Sequence, residues 1–186
     1  MRKIVLDIET KDFFNDLEKI NLSLAGIYDS ETDSYSTYTE EELPKLWPIF
    51  ERADMLIGYN SDHFDIPLLN KYYPGDLEKL RSLDILKEIY QIYGRRMKLE
   101  QIAQGTLEKK KSGDGLDATY WWQKGEIEKV KNYCLDDVRI TKEIYDYARA
   151  NNKLIFKEGG KLHEIKLDTS NWETPAEHKI TYTLPF

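Results

Sequence analysis

Short apolar runs alternate with segments of helical periodicity, and this alternation is the feature that most constrains the fold. Runs of aliphatic, Tyr and Thr residues at 2–8, 22–28, 34–38 and 55–59 predict strands. Helical spacing of apolar residues is found at 40–52, 64–72, 82–90, 98–103 and 126–150. Strands early in the chain, with helices between and after them, predict an α/β fold with a mixed β-sheet flanked by helices.

The C-terminal part of the chain has a different pattern. Two strand-like runs at 153–157 and 161–167 are separated by a pair of glycines, which predicts a β-hairpin. The tail from Asp168 is polar and is expected to be loosely held. We therefore expect a main domain over residues 1–150, with the hairpin and tail of residues 151–186 packed on it or trailing from it.

Composition excludes several classes of protein. Among 186 residues, no apolar stretch approaches the ~18 residues of a membrane span, so no membrane association is expected. The single Cys134 excludes an internal disulfide, and a reducing, cytoplasmic setting is the default expectation. The net charge of −7 argues against a basic coat protein for nucleic acid. It is compatible with an enzyme that holds cations in a cluster of carboxylates.

Asp7 and Glu9 flank Ile8 at the end of the first predicted strand. Because side chains alternate along a strand, both carboxylates are expected to project from one face. Adjacent like charges are unfavourable unless they are neutralised, and hard divalent cations such as Mg²⁺ bind carboxylate oxygens. The pair therefore suggests a metal site, although solvated acids at a strand end would show the same spacing.

A second polar cluster, GYNSDHFD at residues 58–65, follows the fourth predicted strand and opens a helix. Asp65 therefore lies near a strand-to-helix junction. Capping of the helix would explain one acid in this segment. It explains less well the combined pattern of Asn60, Phe64 and Asp65, so we retain Asp65 as a candidate functional residue.

The third cluster lies inside the long predicted helix. Tyr133 and Asp137 are four residues apart and are therefore neighbours on one helical face. The rest of that face is apolar, so Asp137 is expected to point inward, where an unpaired carboxylate would be costly. A metal shared with the other two clusters would neutralise it, whereas Asp136 is turned away and is expected to be solvated.

These three clusters, in this order, resemble the motifs of the DEDD superfamily of 3′→5′ exonucleases, which has the RNase H-like fold. The Tyr-x-x-x-Asp motif is typical of its tyrosine subclass. The segments GYNSDHFDIPLL and YCLDDV are similar to the proofreading exonuclease domains of family-B DNA polymerases and to YprB-type ribonuclease H-like proteins. The resemblance covers roughly residues 1–150, and no polymerase body follows. It runs through Asp7-Ile8-Glu9-Thr10, then Asn60 and Phe64-Asp65, then Tyr133 with Asp137.

The resemblance implies a two-metal mechanism with Mg²⁺ or Mn²⁺. By this analogy Asp7 bridges both ions, and Glu9 and Asp137 hold the ion that activates the attacking water. Asp65 acts on the second ion. Tyr133 orients the water, since a phenol with a pKa near 10 is a poor general base at neutral pH.

The implied substrate is single-stranded DNA or RNA with a free 3′ end. Thr10 is expected to donate to the terminal nucleotide through its backbone or its hydroxyl. Asn60 is expected to contact either the substrate backbone or a metal ligand. Phe13 and Phe14 are expected to stack on bases, with local packing as the alternative. Basic residues of the second half are expected to hold phosphates, with a solvated face as the alternative. They are Arg95, Arg96, Lys98, Lys109, Lys110 and Lys111.

Two other functions fit the same fold. One is a catalytically silent nucleic-acid-binding domain, against which the presence of all four carboxylates and Tyr133 argues. The other is a structure-specific RNase H-like endonuclease. A labelled oligonucleotide separates the three possibilities, because it gives a ladder from the 3′ end, no product or an internal cut.

Overall fold

The computed structural model describes residues 1–12, 16–109 and 115–174. Within these ranges one mixed sheet forms the centre of the molecule, and a separate hairpin lies near the C-terminus. The strands are β1 Lys3–Thr10, β2 Leu22–Asp29, β3 Ser34–Thr39, β4 Met55–Gly58, β5 Ser82–Asp84, β6 Lys153–Glu158 and β7 Lys161–Lys166.

The central sheet has the strand order β3-β2-β1-β4-β5. β1 is antiparallel to β2 and parallel to β4. β3 extends the antiparallel side and β5 the parallel side. The predicted mixed sheet and the C-terminal hairpin are confirmed. Because β1, β4 and β5 run in the same direction, their C-terminal ends meet at one edge of the sheet.

Helices cover both faces of the sheet. Alternation along β1 assigns its side chains to these two layers. Ile4, Leu6 and Ile8 pack in one cluster with the first two helices, whereas Val5 packs in another with α3, α4 and α6. Asp7 and Glu9 are in phase with Val5 and so face the α6 side. The helices are α1 Leu43–Glu51, α2 Asp65–Asn70, α3 Ile85–Tyr93, α4 Leu99–Thr106, α5 Gly115–Gln123 and α6 Ile127–Asn151.

The C-terminal hairpin packs closely on α4. A Cβ atom at Gly105 would lie 2.4 Å from the carbonyl oxygen of Ile155, so only glycine allows this approach. The Thr106 hydroxyl accepts from the Ile155 amide at 2.9 Å and donates to the Ile155 carbonyl at 2.7 Å. Leu154 and Phe156 of β6 belong to the same core cluster as α4 and α6.

Two elements differ from the sequence-based expectation. Residues 82–84 form the strand β5, although the spacing of Leu83 with the following apolar residues predicted a helix from Ser82. A three-residue strand is too short to show its own periodicity. The helix α5 was not predicted, because its aromatic and polar residues do not form an apolar stripe.

The tail is held more firmly than its polarity suggested. Trp172 is buried, and its indole N–H donates to Glu88 at 3.1 Å. Glu173 accepts from Lys3 at 2.7 Å and from Tyr145 at 2.5 Å. The expectation of a loose tail was therefore wrong for residues 168–174, where one aromatic side chain and a few ion pairs provide the attachment. Within the described ranges, no helix combines the length and apolar character needed to cross a bilayer.

Candidate active site

The C-terminal half of β1 carries the first two candidate acids. Across the sheet, Asp7 pairs with Gly26 and Glu9 with Leu24. Glu9 is buried and Asp7 is half-buried. The register with β2 shifts between Glu9 and Thr10, and irregularities of this kind redirect side chains at strand ends. β1 thus brings two carboxylates to the α6 side of the sheet.

Gly26 of β2 allows α6 to approach these acids. A Cβ atom at this position would lie 2.7 Å from the sulfur of Cys134, which is closer than real side-chain contacts allow. The Cys134 thiol lies 3.5 Å from the Asp7 carbonyl oxygen and 3.7 Å from Asp7 Oδ2. The helix is therefore packed directly on the strand that carries Asp7. From the sequence, Cys134 could be used only to exclude an internal disulfide, and this contact was not predicted.

Tyr133 and Asp137 meet on α6 as their spacing predicts. Both are buried, and the Tyr133 hydroxyl donates a hydrogen bond to the Asp137 carboxylate. Trp121 of α5 packs edge-on against the Tyr133 ring, with ring centroids 6.0 Å apart. Burial, and then the charges of Asp137, Glu9 and Asp7, raise the pKa of Tyr133 far above its usual value. The phenol therefore stays protonated and can act only as a neutral hydrogen-bonding group.

A tight loop between β4 and α2 delivers Asp65. Asn60 has a left-handed backbone with φ of 69°, a conformation that Asn tolerates better than most residues. Its carbonyl accepts from the amides of His63 and Phe64 at 3.2 and 3.1 Å. A Cβ atom at Gly58 would lie 2.4 Å from Ser61, so the loop can fold back on β4 only because residue 58 is glycine.

Asp65 is buried, and its surroundings link all three motifs. The amide of Ile8 in β1 donates to its carboxylate, and Asp137 on α6 acts on it electrostatically. Burial, and then the neighbouring charges of Asp84 and Asp137, raise the pKa of Asp65 to about 7, although backbone hydrogen bonds oppose the shift. A nearby cation would favour the ionised form and reverse this effect.

Asp84, at the end of β5, lies beside the candidate site and was not among the residues predicted from the sequence. Its carboxylate accepts from the amides of Asn60 at 2.8 Å and Asp62 at 3.2 Å, and it also caps α3 through Leu86 at 2.9 Å. Asp84 therefore holds the loop that carries Asp65. An Asp immediately before a run of helical periodicity is a helix N-cap signal, and this signal could have marked both the residue and the true start of α3.

The donor atoms suit a hard divalent cation. Ligand atoms of Asp7, Glu9 and Cys134 all lie within 4.8 Å of one another and form a possible metal-binding cluster. Carboxylate oxygens favour Mg²⁺ or Mn²⁺, whereas a thiol favours softer metals. Burial, and then the Asp7 charge, raise the pKa of the Cys134 thiol, so it is a poor ligand beside the two carboxylates.

Thr10 and Asn60 are the candidate substrate contacts nearest these acids in sequence. The Thr10 hydroxyl donates to the carbonyl of Asp12 at 3.1 Å, and its own carbonyl accepts from Thr119 of α5 at 3.1 Å. The Asn60 side-chain oxygen accepts a hydrogen bond from Arg96. Arg96 is therefore the predicted cation that lies beside a predicted substrate contact.

The other predicted cations have different surroundings. Arg95 forms an ion pair with Glu158 of the hairpin at 2.7 Å, and Lys109 forms one with Glu143 at 2.6 Å. Lys98 is exposed at the start of α4. Their role in binding substrate stays a prediction. Four other candidates, Phe13, Phe14, Lys110 and Lys111, lie outside the described residues.

Comparison with known protein families shows to which class of protein this chain belongs. A family model described as RNase_H superfamily matches residues 4–149, which is most of the chain. The protein therefore belongs to the RNase H superfamily. Membership indicates a nuclease that acts on nucleic acid, and RNase H-like nucleases usually use divalent metal ions.

One similar solved structure is the family B DNA polymerase from the hyperthermophilic archaeon Pyrobaculum calidifontis. The TM-score is 0.62 and the sequence identity is 18%. The similarity covers 80% of this chain but only 24% of the polymerase chain, so it concerns the fold of one part of a larger protein. A search of curated proteins finds no match.

Proposed function

We propose that this protein is a metal-dependent 3′→5′ exonuclease that hydrolyses phosphodiester bonds at the 3′ end of single-stranded DNA or RNA. The observation that carries the proposal is the convergence of three separate motifs. Asp65 accepts from the Ile8 amide in β1 and is influenced by Asp137, which in turn bonds Tyr133. Acids from a strand, a loop-to-helix junction and a long helix thus share one buried site.

The acids have the chemistry to hold two Mg²⁺ or Mn²⁺ ions. Asp7, Glu9, Asp65 and Asp137 would be the ligands, since their charges repel one another unless cations neutralise them. When bound, such ions lower the pKa of water and neutralise charge on phosphate oxygens. Glu9, Asp65 and Asp137 are buried, which limits competing solvation by bulk water.

Tyr133 has a role that its protonation state defines. Because its pKa is raised, its hydroxyl remains neutral at physiological pH and cannot remove a proton from water. The hydroxyl already lies beside Asp137, where it can orient a water molecule for attack on the phosphate. We therefore assign Tyr133 to orientation of the nucleophile.

The test uses single-stranded oligonucleotides labelled at the 5′ end, as DNA and as RNA, with Mg²⁺ or Mn²⁺. A ladder of products that shorten one nucleotide at a time supports the proposal. An internal cut would indicate an endonuclease, and no product with any metal would indicate a silent binding domain.

Adjacent acids on α6 provide a matched pair of variants. Asp137 is buried in the site, whereas the Asp136 side chain is 46% exposed and forms an ion pair with Arg139 at 2.6 Å. Asp137→Asn should reduce the rate by about 10²-fold or more, comparable to loss of a major electrostatic group. Asp136→Asn should leave the rate within about twofold, since exposed ion pairs contribute little. Equal rates for the two variants would contradict the assignment.

A further inference from the structure

A cavity of about 260 Å³ lies at the C-terminal edge of β4 and β5, next to the candidate active site. The loop that ends at Asp65 forms one wall, and α3 forms another. The residues that line it and bear on ligand binding are Asn60, His63, Leu86, Lys87, Tyr90 and Arg96. With the exception of Asn60 and Arg96, none of these was singled out above as a substrate contact.

One face of α3 gives this cavity an aromatic wall. Tyr90 follows Leu86 by four residues and Lys87 by three, so its side chain is a neighbour of both on the helix surface. Leu86 is buried at the base, whereas Tyr90 is 52% exposed. A half-exposed aromatic ring next to cationic side chains is the combination on which bases of single-stranded nucleic acids stack.

Arg96 gives the cavity a positive charge in a defined place. The neighbouring Met97 is buried, and its carbonyl accepts from the Tyr59 hydroxyl at 2.8 Å. Arg96 itself donates to the Asn60 side chain, which is neutral. Within the described ranges it has no ion pair, in contrast to Arg95, whose charge is matched by Glu158.

The acids at the cavity already have partners. Asp62 accepts from Ser82 at 2.6 Å and from Lys87 at 2.8 Å. Asp84 is directed at backbone amides of the Asn60 loop and of α3. Arg96 is therefore the charged group that remains available to an incoming anion.

We propose that this cavity binds one nucleobase of the substrate strand, stacked on Tyr90, while Arg96 holds the adjoining phosphate. The volume lies below the ~300–1,000 Å³ of sites for whole ligands, which suits a single base of a longer chain. Tyr90, Lys87 and Arg96 are exposed, so the strand can continue outward from the cavity. The bound nucleotide therefore lies on the 5′ side of the scissile phosphate. This inference rests on the proposed function and specifies its substrate contacts.

The first experiment measures binding of a 5′-fluorescein-labelled oligothymidylate by fluorescence anisotropy, at low ionic strength and in chelator so that no cleavage occurs. Tyr90→Ala should weaken binding about tenfold, the size expected for loss of one stacked base. Ile92→Ala is the control, because Ile92 is on the same helix, is 53% exposed and does not line the cavity. It should change affinity by less than about twofold. Equal affinities of the two variants, or no binding by the unmodified protein, would overturn the stacking assignment.

The second experiment repeats the titration over a range of salt concentrations. Arg96→Gln should reduce the slope of log affinity against log salt by about one, since one phosphate contact is lost. Arg96→Lys should retain the slope, because the charge remains. Arg139→Gln, which removes a charge already paired with Asp136, serves as the matched control and should also retain it. An unchanged slope for Arg96→Gln would overturn the phosphate assignment.

Failure of this inference can be distinguished from failure of the proposed function. If the unmodified protein shortens oligonucleotides from the 3′ end while Tyr90→Ala binds normally, only the cavity assignment is wrong. If binding depends on Tyr90 but no metal supports cleavage, the exonuclease proposal is wrong and the cavity assignment stands.

Discussion

The two ends of β1 have opposite effects on acidic side chains. At the C-terminal end, burial and neighbouring negative charges raise the pKa of Asp65 to about 7. At the N-terminal end, hydrogen bonds from Lys3 and then Tyr145 lower the pKa of Glu173 to about 2. The fold thus destabilises the ionised form of Asp65 at one end of β1 and stabilises the ionised form of Glu173 at the other.

This difference separates an acid of the proposed active site from an acid that stabilises the fold. Glu173 connects the tail to β1 and α6 through Lys3 and Arg149. Two acids, Asp84 and Asp137, are among the groups that raise the pKa of Asp65. A cation that neutralises these charges would have to bind from solution. Substitutions at the two ends should therefore affect different properties of the protein.

The largest expected effect is at the C-terminal end of β1, where the candidate acids lie. Asp7→Asn keeps the shape of the side chain but removes a charge, and it should lower kcat/KM by about 10²-fold or more. Without metal, its melting temperature should stay the same or rise, because like-charge repulsion falls. Oligonucleotide cleavage and thermal unfolding, measured on the same sample, check both parts. If the variant keeps its activity, Asp7 is not part of the active site.

Metal binding should stabilise the protein through the acids at the C-terminal end of β1, independently of Glu173 at the N-terminal end. At a free metal concentration about 100 times Kd, the unmodified protein should gain about 2.7 kcal/mol of stability. Asp7→Asn should lose most of this gain, whereas Glu173→Gln should retain it. Thermal unfolding with and without Mg²⁺ or Mn²⁺ measures the difference. Equal gains in all three proteins would mean that the metal binds elsewhere.

Tyr133→Phe should have an intermediate effect. It removes one hydroxyl and keeps the ring that packs on Trp121. One hydrogen bond is worth about 1 kcal/mol and 1.36 kcal/mol is tenfold in rate, so we expect a loss of about fivefold in both kcat and kcat/KM. Metal stabilisation should be unchanged. A normal single-turnover rate with a lower melting temperature would leave Tyr133 a purely structural role.

The smallest effect is expected at the N-terminal end of β1, where Glu173 bonds Lys3. Glu173→Gln should cost about 1 kcal/mol of stability at neutral pH and leave cleavage unchanged. The pKa of Glu173 is lowered in the folded state, so its contribution is present above its ordinary pKa of about 4.3 and is lost as the pH falls towards about 2. The variant and the unmodified protein should therefore become equally stable near pH 2. Glu164→Gln, which breaks an exposed ion pair with Lys153, is the control and should have a smaller effect.

Much of the fold could be predicted from the sequence because its elements have clear periodicity. β1, β4 and α6 were predicted within two residues at each end, and the glycine pair marked the hairpin. β5 was missed because three residues cannot show alternation when a helix with the same apolar phase follows. The attachment of the tail depends on Trp172, whose partners are distant in sequence and leave no local signal.

The site was predicted unevenly for a related reason. Asp7, Glu9, Tyr133 and Asp137 could be paired from strand and helix spacing alone. Asp84 and Tyr90 could not be assigned to the site, because their relation to Asn60 and Arg96 arises from the packing of β5 and α3 beside β4. Sequence periodicity shows which face a residue occupies, but not which neighbouring element that face meets.

The contact between Gly26 and Cys134 has a practical consequence. Cys134 is the single cysteine of the chain and is fully buried where α6 meets β1 and β2. A thiol reagent can reach it only when α6 separates from the strands, and that motion also moves Tyr133 and Asp137 away from Asp7. The rate of alkylation at Cys134 thus reports how often α6 separates from the sheet at the proposed active site, and a bound metal should slow this labelling.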